Sequence, residues 1–281
     1  MSDTDDSSGT GGQEYVLGRD YLASVRLNLQ HYLWVQETGY HVHPSITLKP
    51  GMEVMEVATG TAIWSLDLAT KHPDIRFLAT DYSLDQAPPP EFLPRNVELA
   101  EWDLLDGGVP EEYIGRFDVV HVRLMMCVIK NNDPSSVVEK LVKILKPGGY
   151  LQWGEMDHTT HRMEHALPNM TSESFEQAVN FPSTLGRKDK RMNQSWVSTL
   201  SSRFQAVGLF PIADVHAFRN KSHLSFYTDA AFLVWNEWRE GMSASDKETY
   251  GGILGKAKRE REEQRKGLAL NMEIRTVVGM K

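Results

Sequence analysis

The sequence has little cysteine, no long apolar run and no excess of positive charge, and each shortage excludes a class of protein. One cysteine, Cys127, stands among 281 residues, which excludes an internal disulfide. No apolar stretch reaches the roughly 18 to 20 residues that span a bilayer, so we expect no membrane partner. The formal net charge of −8 argues against a protein that binds nucleic acid through its phosphate backbone.

The N-terminal region divides into a polar segment and a helical one. Residues 1–14 are acidic and polar, which predicts a disordered tail. They show no basic region followed by an apolar one, so we expect no secretory signal and a cytoplasmic protein. Apolar residues then recur at helical spacing from about Arg19 to Glu37. This helix and the histidine-rich segment after it are predicted to form a helical lid over residues 15–48.

Strand-like and helix-like patterns alternate from about Lys49 onwards. Such alternation predicts one α/β domain over residues 49–281, with a parallel sheet and helices on both faces. Residues 156–192 interrupt the alternation and are predicted to be an insertion. The predicted strands are 52–57, 76–82, 97–103, 117–123, 150–155, 211–218 and 272–279, and the predicted helices between them are 62–71, 134–145, 194–207 and 224–238.

The loop after the first predicted strand is the most informative motif. It reads E-V-A-T-G-T-A-I-W from Glu56 to Trp64, and a strand, a tight turn and a helix in this order typically hold an adenosine-bearing ligand. A dinucleotide enzyme would favour G-x-G-x-x-G around the pyrophosphate. Here Gly60 is the single glycine, and Ile63 and Trp64 crowd the position of close approach. A ligand without phosphates therefore fits better.

Acidic residues fall at the ends of several predicted strands. Glu56, Asp81, Asp103 and Glu155 occupy such positions, and strand ends in a sheet of this kind face the ligand crevice. A carboxylate at Asp81 can accept hydrogen bonds from both hydroxyls of a ribose. Asp103, between two apolar residues, suits the edge of an adenine ring.

These motifs resemble those of class I S-adenosylmethionine-dependent methyltransferases. The resemblance rests on E-V-A-T-G-T-A, T-D-Y, E-W-D and L-K-P-G-G-Y-L-Q-W, while L-N-L-Q-H-Y-L-W and F-D-V-V-H-V-R-L are similar to a fungal branch associated with secondary metabolism. It covers roughly residues 18–155. It implies a doubly wound, mostly parallel seven-stranded sheet of the Rossmann-like methyltransferase type. An N-terminal helical lid and a helical insertion after strand five complete the expected fold.

The resemblance also implies S-adenosylmethionine as cofactor and gives roles to individual residues. His121, on the fourth predicted strand, would lie beside the methyl group. The residues that would bind the cofactor are Glu56, Ala58 and Gly60 on the methionine side, Asp81 and Tyr82 at the ribose, Asp103 and Leu104 at the adenine, and Arg123 near the methyl and carboxylate region.

Two alanines depart from the family's loop pattern. Glycine is common where this chain has Ala58 and Ala62. If either residue needed a positive φ, its Cβ would strain the backbone and crowd the ligand. We favour the alternative, in which both residues keep a negative φ and alanine is harmless.

The predicted reaction is methyl transfer to an oxygen or nitrogen of a bulky hydrophobic secondary metabolite. Aromatic and methionine-rich segments favour an apolar small-molecule partner over nucleic acid. A histidine base suits such chemistry near neutral pH, and the candidates are His121, His158 and His161. If helical, His161 and His165 would share one face, but nothing resembles the third ligand of a zinc site, so we expect no metal.

Two other functions stay open at this point. The altered loop and the histidines also suit a non-methylating enzyme, such as a cyclase or pericyclase that promotes a rearrangement on the same scaffold. A regulatory module that contacts a protein partner is the third hypothesis. A homodimer is also compatible with the sequence.

Overall fold

The computed structural model describes residues 17–185 and 194–281. The predicted tail at 1–14 and the end of the predicted insertion, 186–192, lie outside the described residues. Within these two ranges the chain forms seven α-helices and one seven-stranded sheet. None of the helices in this part of the chain combines the length and the apolar character needed to cross a bilayer.

The observed elements follow the predicted alternation closely as far as the fourth strand. The strands are β1 (Glu53–Val57), β2 (Arg76–Asp81), β3 (Val97–Glu101), β4 (Phe117–Arg123), β5 (Leu145–His165), β6 (Phe210–Phe218) and β7 (Leu268–Met280). The helices are α1 (Tyr21–Thr38), α2 (Ile63–Ala69), α3 (Ser135–Ile144), α4 (Glu173–Thr184), α5 (Leu200–Ala206), α6 (Leu224–Glu240) and α7 (Ala244–Glu263).

The sheet has the order β3-β2-β1-β4-β5-β7-β6. β1 pairs in parallel with β2 and β4, whereas β7 runs antiparallel to β5 and β6. The predicted doubly wound, mostly parallel α/β fold is therefore confirmed. The strand order reverses between β1 and β4, so the chain leaves these strands in opposite directions and opens a crevice at their carboxyl ends.

The central strands read as continuous apolar runs because both faces of the sheet are covered. In β1, Val54 and Met55 are fully buried, although they point to opposite faces. Met55 packs in a cluster with Leu141 of α3, and Val54 packs in another with Trp64 of α2. The rigid sheet thus fixes the residues that follow each strand.

The fifth strand is much longer than predicted, and the expected end at Glu155 was wrong. β5 continues to His165 because β7 supplies a partner for it, with Met163 opposite Leu270 and His165 opposite Leu268 after an irregularity past Asp157. His161 and His165 therefore lie on a strand instead of a helix. The described part of the predicted insertion becomes helical only at α4.

α1 is fastened to the body of the protein along its length, and three of its contacts show how. Arg26 forms a double ion pair with Glu237 of α6, with N–O distances of 2.7 and 3.0 Å. Trp34 lies against Gly154 so closely that a Cβ there would approach its ring to 2.8 Å. Asn28 accepts a hydrogen bond from Thr61 in the loop after β1. These contacts hold α1 across the carboxyl ends of the central strands.

Candidate functional site

A cavity lies at the carboxyl ends of β1 to β4, and we call it the strand-end cavity. All eight residues predicted to bind the cofactor line it, although they come from four separate segments of the chain. They are Glu56, Ala58, Gly60, Asp81, Tyr82, Asp103, Leu104 and Arg123. The structure brings these residues together; their individual roles remain predictions.

Glu56 closes the inner end of this cavity. Its Oε2 accepts hydrogen bonds from Thr59 Oγ1 at 2.6 Å and from the hydroxyl and backbone N–H of Ser65. Burial raises the pKa of Glu56, and these hydrogen bonds oppose the rise. One carboxylate oxygen is thus used to hold the loop, while the other forms no hydrogen bond within the described part of the chain.

Asp81 and Asp103 both accept backbone hydrogen bonds that hold the loops around them. Asp81 Oδ2 accepts from the backbone N–H of Gly60 at 2.8 Å, which ties the end of β2 to the loop after β1. Burial raises the pKa of Asp81 against the effect of that hydrogen bond. Asp103 Oδ1 accepts from the N–H groups of Leu105 and Asp106, each at 3.0 Å. Asp81 Oδ1 also accepts from the backbone N–H of Ser83 at 3.4 Å, so both side chains are fixed in place at the edge of the cavity.

Arg123 supplies positive charge between Glu56 and α1. Its Nη2 lies 3.2 Å from His31 Nδ1, and its guanidinium carbon lies 5.5 Å from the centre of the Trp34 ring. Burial lowers the pKa of Arg123 to about 10, well above neutral pH, so the group stays charged. No carboxylate of residues 17–185 or 194–281 lies within 4 Å of it. It can therefore pair with the carboxylate of a ligand.

Both loop alanines adopt positive φ, and the expectation of a harmless negative φ was wrong. Ala58 has φ 55° and Ala62 has φ 57°, in the left-handed region. The loop must turn sharply between β1 and α2 while Thr59 N–H bonds to Thr80 O and Ala62 N–H bonds to Thr59 O. These backbone hydrogen bonds fix the turn and impose strain of roughly 1–2 kcal/mol per alanine.

We expect Ala58→Gly to raise the free energy of unfolding by about 0.5 kcal/mol, since relief of strain exceeds the added chain entropy of glycine. Ala62→Gly is the matched control. Ala62 is fully buried, so loss of its methyl contacts, worth about 0.8 kcal/mol, cancels the relief. Urea unfolding of both variants measures the difference. A larger gain for Ala62→Gly would contradict this account.

His121 is placed away from the strand-end cavity. Its ring stacks on Trp64 with centroids 4.0 Å apart, and Gln152 Nε2 lies 3.2 Å from its Nδ1. Burial, with the charge of Arg123, lowers its pKa well below the ordinary value. His121 does not line the strand-end cavity, and it does not line the second, apolar cavity that borders it. Its surroundings suit a packed neutral imidazole and give no support to a catalytic base.

A second cavity, the apolar cavity, borders the first. It lies between α1, β5, β7 and α6, and its walls include methionine, valine, alanine and tryptophan side chains. Leu27 of α1 and Leu124 line both cavities. Leu124 holds φ 59°, a strained conformation for a bulky residue, at the boundary between them. The polar strand-end cavity and the apolar cavity therefore share one wall.

His158 lines the apolar cavity, whereas His161 lies in a neighbouring recess on its far side. Burial lowers the pKa of His158 to about 3, so its ring is neutral at pH 7. Its Nε2 has no hydrogen-bond partner among the described residues. His161 Nδ1 lies 2.8 Å from the carbonyl oxygen of His158. Of the three predicted histidines, His158 is the one placed beside the apolar cavity.

Sequence reasoning missed several polar groups at these cavities. Arg219 lines the apolar cavity but follows β6, where no recognised motif points to it, whereas Tyr227 belongs to an aromatic segment that was expected to form such a cavity. The sequence also did not indicate that His31 and His41 meet Asp67. The Nε2 atoms of both histidines lie within hydrogen-bond distance of Asp67 Oδ2. Among the described residues this trio has side-chain atoms close enough to hold a metal ion, within 4.8 Å of one another.

Comparison with known proteins agrees with this architecture. A family model described as a methyltransferase domain matches residues 41–237. The methyltransferase grgD of a Penicillium species is 34% identical over 47% of this chain and 49% of its own length. The N-methyltransferase verN of Clonostachys rogersoniana is 30% identical over 49% of this chain and 48% of its own. The chain thus spans about half the length of the curated relatives it matches.

A solved structure extends the likeness to the fold as a whole. Mycolic acid cyclopropane synthase CmaA1, complexed with S-adenosylhomocysteine and CTAB, superposes with a TM-score of 0.51 over 90% of this chain and 84% of its own. Its sequence identity is 15%, so it bears on the fold alone. With the family model covering most of the sequence and the sheet order observed above, the chain belongs to the methyltransferase-domain family, as a class I member with fungal relatives.

Proposed function

We propose that this domain transfers the methyl group of S-adenosylmethionine to an oxygen or nitrogen of a bulky hydrophobic small molecule. The observation that carries the proposal is the meeting of the polar strand-end cavity and the apolar cavity at Leu27 and Leu124. A methyl donor in the first would lie next to an acceptor in the second. The walls of the apolar cavity are mostly aliphatic and aromatic side chains, which suit the body of a hydrophobic molecule.

The groups of the strand-end cavity fit the parts of S-adenosylmethionine. Arg123 would pair with the methionine carboxylate, and Glu56 would accept from the ammonium group. Asp81 would accept from the ribose hydroxyls and Asp103 from the adenine amine. Opposite charges would thus be matched at the amino-acid end of the ligand, and carboxylate acceptors would face the neutral donors of its adenosine end. The cofactor supplies an electrophilic methyl group, and the protein mainly positions the acceptor in line with it.

His158 is the best-placed of the predicted bases. Its neutral ring lies beside the apolar cavity and can accept a hydrogen bond from an acceptor hydroxyl or amine. Its low pKa makes it a weak base, so we propose that it orients the acceptor and assists loss of the proton only as positive charge develops there. We propose in addition that His121, which stacks on Trp64, has a structural role.

The test is an assay of the full chain with isotope-labelled S-adenosylmethionine and a panel of apolar phenols, amines and carboxylic acids. We expect one equivalent of S-adenosylhomocysteine for each methylated product. Arg123→Gln should impair turnover, whereas Arg116→Gln, at the opposite end of the sheet and paired with Glu53, should not. Conversion of an acceptor without consumption of the cofactor would favour the non-methylating alternative and overturn the proposal.

A further inference from the structure

The apolar cavity contains a buried cation that lacks a charged partner. Arg219 is 5% exposed, and its Nε forms no hydrogen bond within the described part of the chain. Its guanidinium lies over the ring of Tyr227, 4.1 Å from the centroid, and Nη2 contacts the sulfur of Met156. A buried charge left in this state costs several kcal/mol, which a charged ligand can offset.

A second arginine in the same cavity shows what a satisfied cation looks like. Arg26 is also buried, but it donates two hydrogen bonds to the carboxylate of Glu237 and a third to the side chain of Gln30. Arg219 has no carboxylate within 4 Å among residues 17–185 and 194–281. Glu37 acts on it only through longer-range attraction and is itself bonded to Asn220 and His223.

Several unsatisfied polar atoms belong to residues that line this cavity. Nine buried side-chain atoms in the described ranges lack a hydrogen-bond partner, and four of them belong to residues that line it. Such atoms are rare in folded proteins and call for an explanation. The four are His158 Nε2, Arg219 Nε, Tyr227 Oη and Trp238 Nε1.

These groups are mostly donors, and no acidic residue stands among them. No Asp or Glu occurs among the described residues that line the cavity, and the arginine, tyrosine and tryptophan groups each present an N–H or O–H. Because Glu237 pairs with Arg26, Arg219 is the charged lining residue that has no carboxylate close to it, although the chain carries a net charge of −8. Apolar walls with a fixed cation and several donors suit a ligand with one anionic end.

We propose that the apolar cavity binds an amphipathic carboxylic acid, whose carboxylate pairs with Arg219 and the Tyr227 hydroxyl while its apolar body lies against the methionine, valine and tryptophan walls. This inference rests on the proposed function in that the acid would be the methyl acceptor. It names a substrate class that the resemblance does not provide. A purely structural Arg219, stacked on Tyr227, would create no preference for an acid.

The test uses three twelve-carbon probes, dodecanoate, dodecanol and dodecylammonium, with the two ions below their critical micelle concentrations and the alcohol below its solubility limit. Isothermal titration calorimetry of the full chain should show dodecanoate binding about tenfold more tightly than dodecanol, with dodecylammonium weakest. Arg219→Gln should remove the preference, and Tyr227→Phe should reduce it. Arg219→Lys should keep part of it, and urea unfolding confirms that each variant is folded.

Two control variants locate the site. Arg162→Gln removes a partly exposed arginine that stacks on Phe218 outside the cavity and should change nothing. Arg116→Gln, at the opposite end of the sheet, should also leave the preference intact. Equal binding of acid and alcohol by the parent protein would overturn the inference, as would a preference that survives Arg219→Gln or disappears in Arg116→Gln.

A separate titration with S-adenosylhomocysteine distinguishes this inference from the proposed function. If the cofactor product binds and the acid is not preferred, the acid site is wrong and the proposed function stands. If the acid is preferred and the cofactor product does not bind, the methyl-transfer proposal fails and the anion site stands.

Discussion

Asp81→Asn is expected to weaken the binding of S-adenosylhomocysteine by about 10- to 100-fold, because hydrogen bonds to a charged acceptor contribute about 1.5–3 kcal/mol. The amide oxygen of asparagine can still accept from Gly60 N–H, so the loop should keep its conformation. What is lost is the negative charge that would face the two ribose hydroxyls. Isothermal titration calorimetry measures the change directly.

The control for this prediction is Asp85→Asn in the same loop. Asp85 is exposed, accepts from Ser83 Oγ and does not line the strand-end cavity. We expect the Asp85→Asn variant to bind S-adenosylhomocysteine with the same affinity as the parent protein. Free adenine, which has no ribose, should bind equally well to the parent and to Asp81→Asn. Equal losses in the two aspartate variants would show that the carboxylate of Asp81 does not bind the ribose.

Glu155→Gln is expected to stabilise the protein in alkaline solution and to leave it unchanged in acid. Glu155 is fully buried, and its Oε1 accepts from Met125 N–H at 2.6 Å and from the Trp153 indole N–H at 2.9 Å. Its Oε2 has no partner in the described part of the chain. Burial raises the pKa of Glu155 to about 8, so the carboxyl is protonated at neutral pH.

The direction of the effect follows from proton linkage. Between the ordinary glutamate pKa of 4.5 and about 8, the folded state holds a proton on Glu155 that the unfolded state has released. The stabilising contribution of this residue is therefore complete below pH 4.5 and is lost as the pH rises towards 8. At about 1.36 kcal/mol for each pKa unit, the loss reaches roughly 5 kcal/mol at most.

Glutamine keeps the acceptor for both N–H groups and cannot ionise. Urea unfolding from pH 5 to 9 should therefore show a smaller decline for Glu155→Gln than for the parent. Glu53→Gln provides a control of opposite sign, because Arg116 and Arg76 lower the pKa of Glu53. The Glu53→Gln substitution should lower the free energy of unfolding at neutral pH and change it little in acid. Parallel pH profiles for Glu155→Gln and the parent would contradict the buried neutral carboxyl.

Glu155 and Asp81 act on different sides of the strand-end cavity. The carboxyl of Glu155 binds the N–H that follows Leu124, whose strained conformation separates the strand-end cavity from the apolar cavity. Ionisation of Glu155 would thus disturb the wall between donor and acceptor. Asp81 lies on the opposite side of the strand-end cavity, so the two predictions test its two sides independently.

The carboxyl ends of the first four strands were predictable from the sequence for a local reason. Parallel strands of one sheet present their ends at one edge, so Glu56, Asp81 and Asp103 could be placed together from the length of each apolar run. The elements β1 to β4 match their predicted bounds to within two residues. A resemblance in short motifs then indicated the cofactor class.

Conformation within the loop was not predictable in the same way. Alanine tolerates several backbone conformations, and the positive φ of Ala58 and Ala62 follows from hydrogen bonds to Thr80 and Thr59 that close the turn. The prediction that β5 ends at Glu155 was wrong for a related reason. Polar residues after Glu155 resemble a loop until β7, more than a hundred positions later, pairs with them.

The sequence by itself determined the α/β alternation, the position of the ligand loop and the acidic strand ends, because each depends on residues that are neighbours along the chain. The tertiary structure alone decided which polar groups share a cavity. His121 is packed on Trp64, and Arg219 and Tyr227 meet Met156 from segments more than sixty positions away. Burial and charge pairing are properties of such distant contacts, so the chemistry of the apolar cavity appears only once the chain is folded.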